Sequence, residues 1–135
     1  PYVFDRRTGH YVSEINEDSH DGYFSNMALA DQLIGDILKV LKETAGGREW
    51  ALIISSDHHW RRSAMYYDGI SDPRVPFVVH LSNAGNTAIQ YDRPLRAVST
   101  RQLVSALLNG EIGSHQDVAM FLNRWHNRYV DETKQ

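Results

Sequence analysis

The sequence contains no cysteine, which excludes disulfide bonds and thiolate metal ligands. No apolar run reaches the length needed to span a bilayer, so we expect no membrane segment in this chain. Basic residues are not in excess, with 14 Lys and Arg against 17 Asp and Glu, and the net charge of −3 gives no support for nucleic-acid binding. Internal repeats and low-complexity segments are also missing. What remains is the composition of an ordinary globular domain, 41% hydrophobic and 23% charged.

The 135 residues suffice for one domain with a real core and are too few to predict two. Within it we expect a loosely held arm over 1–22, an α/β core over 23–128 and a charged tail over 129–135. The chain begins at Pro1 rather than Met, a start that suggests processing or a cloned fragment of a longer protein.

The first 22 residues are polar and show no sustained helical period. We predict two short strands, over 2–4 and 10–12, joined by a turn at 5–9. His20 and Asp21 follow, and exposed loop polarity is the favoured interpretation of this pair over a functional role.

The pattern changes over 24–45, where apolar residues recur at three- and four-residue steps. Gly46 and Gly47 follow and supply the left-handed conformation that commonly ends a helix. We therefore predict an amphipathic helix. Its apolar face consists of Met27, Ala30, Leu33, Ile34, Ile37, Leu38 and Leu41.

Two later apolar runs predict strands buried on both faces. The run 52–54 is too short for a helix and is bounded by polar residues, and 75–81 is similar, with Pro76 confined to its start. Residues 88–91 predict a short edge strand. With helices between and after these strands, we predict an α/β fold with a partial mixed or mostly parallel sheet flanked by helices.

Two helices are predicted after the strands. Ser99, followed three residues later by Gln102, fits a capping box that opens the first. Ser114 and Asp117 give a weaker version of the same signal for the second. The inner face of the second helix is predicted to carry Val118, Phe121, Leu122 and Trp125.

Ionisable residues follow the strand at 52–54, and loops beyond strand ends carry ligand-binding groups in open α/β sheets. A carboxylate and an imidazole, here Asp57 and His58, together suit Zn²⁺, Mn²⁺ or Fe ions. Adjacent strand residues point to opposite faces, so both can bind one ion only if the chain leaves strand geometry here. On spacing alone, a hydrogen-bonded pair is about as good an interpretation as a metal site, since zinc usually takes three or four protein ligands.

The order of these elements resembles the C-terminal part of the alkaline phosphatase superfamily, especially its sulfatase-like hydrolases. Ser56-Asp57-His58 is similar to the strand-end Asp-His or Asp-Asn pair that ligates the catalytic metal in that family, although His59 stands where Gly is usual. Trp60-Arg61 resembles the Trp-Arg of some sulfatase-like members, and Arg74-Val75-Pro76-Phe77 resembles the following Arg-Val-Pro strand. The similarity covers residues 23–81 well and the remainder loosely.

The resemblance implies a hydrolase of sulfate or phosphate esters with a divalent metal ion, Zn, Mn or Ca, and a small anionic ester as substrate. Asp57 and His58 would be metal ligands, and His59 and Arg61 are weaker candidates for binding the substrate. The family's nucleophile and its other metal ligands lie upstream, so we expect no catalytic nucleophile in this chain and no turnover by the chain alone. Family members often work outside the cytoplasm, so the resemblance admits an extracytoplasmic or membrane-anchored parent protein, while the sequence itself leaves the localisation open.

Other interpretations remain open. A non-catalytic α/β module that binds a metal or a partner through the same loop is the main alternative, and a purely structural interaction domain is a third. His80, in a predicted strand, is interpreted as a satisfied core histidine, and Trp60 as packing over the edge of the site. Because a fragment exposes strand edges, we also predict self-association, by edge pairing or by exchange of the N-terminal arm.

Overall fold

The computed structural model describes residues 3–13, 19–70, 72–85 and 87–132, with side chains up to residue 126. Tyr2 and the last three residues of the predicted tail lie outside this part. The elements are β1 (Val3–Asp5), β2 (His10–Val12), α1 (His20–Thr44), β3 (Ala51–Ser55), α2 (Ser63–Tyr66), β4 (Phe77–Leu81), α3 (Ser99–Leu108) and α4 (His115–Glu132).

The chain forms two compact units. The first consists of Pro1–Gly47 and Ser56–Val75, and the second of Arg48–Ser55 and Pro76–Gln135. The predicted α/β class is confirmed in its coarse form, with helices and two small sheets. Among the described residues, no helix is both long and apolar enough to cross a membrane.

In the first unit, β1 and β2 form the predicted antiparallel hairpin, with Phe4 opposite Tyr11. The Asp5 carboxylate holds the turn, accepting hydrogen bonds from the backbone and side chain of Arg7, at 3.0 Å each, and from Thr8. These bonds, the one from the Arg7 backbone first, lower the pKa of Asp5. All three residues of β1 are buried and contact α1. That the 1–22 segment is loosely held stays a prediction.

Helix α1 begins four residues before the predicted start because Ser19 caps it. The Ser19 Oγ accepts a 3.0 Å hydrogen bond from the Gly22 backbone N–H, and Asp21 lies in the first turn, where a negative charge is favourable. His20 and Asp21 are therefore helical, and the interpretation of them as loop residues is wrong. The apolar face remains open, since side chains including Leu33 and Ile37 are about half exposed.

In the second unit, β3 and β4 pair antiparallel, with Ile53 opposite Val79, and the prediction of a mostly parallel sheet is wrong. A parallel pair is usually joined by a crossover helix, whereas the four-residue α2 is the only helix among the described residues between these strands. The strands are also half-buried to exposed along most of their length, not buried on both faces as predicted.

The core of this unit lies between the sheet and helices α3 and α4. Its buried residues are Leu81, Leu103, Ala106, Ile112, Val118, Phe121 and Leu122, with Trp125 packed against them, which confirms the predicted inner face of α4.

Of the two predicted helix-start signals, the stronger one forms no side-chain cap and the weaker one does. Helix α3 has no side-chain cap, and the Ser99 hydroxyl instead donates to the Arg96 carbonyl at 2.7 Å, so the predicted capping box is wrong. At the start of α4, the Ser114 hydroxyl accepts from the Asp117 N–H at 3.1 Å and donates to the Asp117 carboxylate at 2.8 Å. This hydrogen bond from Ser114, followed by one from the Gly113 N–H, lowers the pKa of Asp117.

The prediction of an edge strand at 88–91 is wrong, because side chains of α4 form hydrogen bonds to this segment and to the residues that flank it. His115 and His126 donate through Nδ1 to the carbonyls of Thr87 and Pro94, at 2.9 and 3.1 Å. The Tyr91 hydroxyl lies 3.4 Å from the Asn123 side-chain oxygen. The backbone here is thus held by a helix surface and not by a neighbouring strand.

Candidate functional site

The loop after β3 is shaped by its own polar side chains. The Asp57 carboxylate accepts a hydrogen bond from the His58 backbone N–H at 3.0 Å, and the Ser56 hydroxyl donates to the His58 carbonyl at 2.8 Å. Such short-range bonds compete with strand pairing and turn the chain. The extended conformation ends at Ser55, so Asp57 and His58 are released from the opposite-face geometry of a strand.

That turn brings the two candidate metal ligands together. The His58 Nε2 atom lies 3.8 Å from the Asp57 Oδ2 atom. This separation is shorter than about 4.1 Å, the sum of one Zn–N and one Zn–O bond, so a single ion can contact both atoms. The side chains are open to solvent, with exposed fractions of 50% for His58 and 87% for Asp57.

A further hydrogen bond orients the imidazole. The His58 Nδ1 atom lies 2.7 Å from the His59 carbonyl oxygen. Because a carbonyl can only accept, Nδ1 must carry the proton, and in the neutral ring Nε2 then has a free lone pair. Histidines that bind metals are commonly oriented by this bond to a backbone carbonyl. The residues present therefore fit a metal ion with two ligand atoms.

Within the described residues, no group of three or more His, Cys, Asp or Glu side chains converges at this site or elsewhere. Two protein ligands are fewer than zinc usually takes, so further ligands would come from water or from groups outside this set. Among the His, Cys, Asp and Glu side chains of the described residues, the pair Asp57 and His58 therefore has no third member.

The other predicted site residues take different positions. His59 is half-buried, and its positive charge makes a minor contribution to lowering the pKa of Asp72. Arg61 is exposed in the turn before α2. His80 is half-buried in β4 with its ring 5.3 Å from that of Trp50, and its interpretation as a satisfied core histidine stays a prediction.

Asp72 is held by Arg74, the first residue of the Arg-Val-Pro sequence. The Arg74 side chain donates to both carboxylate oxygens of Asp72, and its backbone N–H donates at 3.0 Å. These hydrogen bonds, with a minor contribution from the charge of His59, lower the pKa of Asp72 from 3.8 to about 2. Arg74 is thereby committed to an ion pair on its own loop.

A cluster of rings beside the loop was not predicted. Trp60 stacks on Tyr23 and on Tyr66, with ring centroids 4.2 and 5.2 Å away. His20, at the start of α1, contacts the rings of Phe24, Trp60, Tyr66 and Tyr67, and its Nε2 lies 3.3 Å from the Tyr67 hydroxyl. The Ser19 cap with Asp21 was the signal that could have placed His20 on a helix.

No family model matches the sequence, and no curated protein and no solved structure matches it either.

Proposed function

We propose that this chain is the metal-ligating part of a sulfatase-like or phosphatase-like hydrolase of the alkaline phosphatase superfamily, acting on sulfate or phosphate esters. Asp57 and His58 are the metal ligands in this proposal. The observation that carries it is the 3.8 Å separation of the Asp57 Oδ2 and His58 Nε2 atoms, with the imidazole oriented through Nδ1.

The donor set limits which metals the site would hold. One carboxylate oxygen and one imidazole nitrogen suit Zn²⁺ or Mn²⁺, and Ca²⁺ is compatible if water or other oxygen atoms complete its shell. A bound ion of this kind would lower the pKa of a nucleophile and offset negative charge on the transferring group.

Basic side chains follow the proposed ligands in the sequence and suit an anionic ester. His59, Arg61 and Arg62 lie within four consecutive positions. A guanidinium fork matches the oxygens of a sulfate or phosphate group, and Arg61, exposed in the same loop, is the proposed anion-binding residue. His59 would have a secondary role, because it also faces Asp72.

Metal titration tests the ligand assignment. Isothermal titration calorimetry with Mn²⁺, Zn²⁺ and Ca²⁺ should show binding at one site. Asp57→Ala should weaken this binding at least about tenfold, because even the loss of a residue that only supports a metal ligand typically weakens metal binding by that factor. Asp31→Ala, on the exposed surface of α1, removes the same charge and should leave the affinity unchanged. Equal affinities in the two variants would contradict the proposal.

A second titration separates the hydrolase from a non-catalytic metal-binding module. With the metal bound, phosphate or sulfate should bind to the wild type and bind more weakly to Arg61→Gln. Metal binding with no detectable binding of either anion would favour the non-catalytic module.

A further inference from the structure

Strand β3 has one neighbouring strand, β4, among the described residues, which leaves its other edge open. The direction of its backbone groups follows from one hydrogen bond. The Ser82 N–H donates to the Trp50 carbonyl at 3.0 Å, and Ser82 lies opposite Trp50 when the β3–β4 register is extended by one residue. In an antiparallel pair, hydrogen-bonded and non-hydrogen-bonded positions alternate.

Leu52 and Ile54 therefore bond to β4, while the N–H and C=O groups of Ala51 and Ile53 point outward. Within the described part of the chain, these outward groups have no hydrogen-bond partner. A strand edge of this kind is a template for another extended chain, because only a strand presents matching donors and acceptors at the same spacing.

The devices that usually protect an edge are missing here. Ala51–Ser55 contains no charged residue, proline or glycine, and Ala51 is exposed. Beside it lies an open groove of about 280 Å³ between β3 and helix α3. The groove is lined on the helix side by Val104, Leu107 and Leu108, of which Leu108 is 83% exposed.

We propose that this edge pairs with β3 of a second copy of the chain, antiparallel about a two-fold axis at Leu52. Each Ala51 then lies opposite the partner's Ile53, and these outward groups form about four hydrogen bonds. The two sheets become one continuous sheet of four strands. Because Ala51 is small, the partner's Ile53 side chain can extend over the groove next to it.

The sequence around β3 favours this register and a self-complementary partner. Pairing about Leu52 places Arg48 opposite the partner's Ser56 and Glu49 opposite the partner's Ser55, with no like charges facing each other. A shift that centres the pairing on Ile53 places Glu49 opposite the partner's Asp57, which is repulsive. An isologous contact of one short strand is small, so the dimer should be weak and depend on concentration.

Sedimentation equilibrium tests the proposal on the full chain, from about 10 µM to about 1 mM, a range suited to an interface below standard size. The weight-average mass should rise towards that of a dimer. Ala51→Lys, which adds a charge at the edge, and Ala51→Pro, which removes an outward N–H, should keep the chain monomeric. Val78→Lys, at a 49% exposed position of β4, is the matched control and should still dimerise.

Hydrogen exchange supplies a second measurement that does not depend on a variant. The amides of Ala51 and Ile53 should exchange quickly at low concentration and slowly at high concentration, while those of Leu52 and Ile54 stay protected at both.

A monomer throughout the range would overturn the proposal. So would a dimer that Ala51→Lys leaves intact but Leu33→Lys, on the open face of α1, abolishes. Metal binding at Asp57 is measured separately, so either proposal can fail without the other.

Discussion

Trp60 stacks on Tyr23 with ring centroids 4.2 Å apart and ring planes inclined by 14°. The contact joins the loop that carries Asp57 and His58 to the first turns of α1, across 37 positions of sequence. Tyr66, in α2, stacks on the same indole with an inclination of 16°. The proposed metal ligands thus lie only two and three residues before an anchored tryptophan.

Removing the Tyr23 ring should loosen this loop. We expect Tyr23→Ala to lower the free energy of unfolding by about 0.5–1.5 kcal/mol beyond the loss of buried area, the usual value of an aromatic pair. Urea unfolding measures the effect. Tyr23→Phe keeps the stacked ring and should stay close to wild type, whereas equal losses in the two variants would assign the cost to the hydroxyl.

The ion pair of Asp72 and Arg74 should make the loop sensitive to acid. The pKa of Asp72 is about 2 in the folded chain, against an ordinary value of 3.8. Because its pKa is lowered in the folded chain, the Asp72 carboxylate stabilises the folded state at pH values above 3.8. This contribution is lost as the pH falls from 3.8 towards 2. Carboxyl chemical shifts followed by NMR should give a midpoint near 2 for Asp72. In Arg74→Gln the midpoint should move back towards 3.8, and an unchanged midpoint would contradict the assigned cause.

The core of the second unit offers a matched pair of leucines in one helix. Leu103 is fully buried and Leu108 is 83% exposed. Leu103→Ala should cost about 2–5 kcal/mol of unfolding free energy, because it removes buried apolar surface and leaves a cavity. Leu108→Ala should change the free energy by no more than about 0.5 kcal/mol, as is usual for surface positions. Chemical denaturation at low protein concentration compares them without interference from association.

Helices and strands were predictable where apolar residues recurred at helical spacing over many positions, or where a short apolar run was bounded by polar residues. Helices α1, α3 and α4 and the strands β3 and β4 all lie where the sequence indicated. The direction of the β3–β4 pairing was not predictable, because an apolar run reads the same in a parallel and in an antiparallel sheet. The described part of the connection between the two strands contains no helix longer than the single turn α2, whereas parallel strands are usually joined by a crossover helix.

Sequence signals gave wrong predictions where a side chain had more than one possible hydrogen-bond partner. Ser99 could cap a helix or bond backward, and it donates to the Arg96 carbonyl instead. Residues 88–91 have strand propensity, but side chains of α4 hold the flanking backbone. At the candidate site, Asp57 and His58 were predictable from their place after an apolar run. The proximity of His20 to Trp60 was not, since it depends on tertiary packing.

His58 is proposed to present an unprotonated Nε2 atom, next to Asp57, to a metal ion. Two-dimensional ¹H–¹⁵N spectra of the imidazole rings test it most directly, recorded at neutral pH before and after addition of Zn²⁺. We predict that His58 carries its proton on Nδ1, and that Zn²⁺ shifts the Nε2 resonance while Nδ1 stays protonated, an effect absent in Asp57→Ala and present in Asp31→Ala. A proton on Nε2 in the free protein, or a Zn²⁺ response confined to other histidines, would contradict the account.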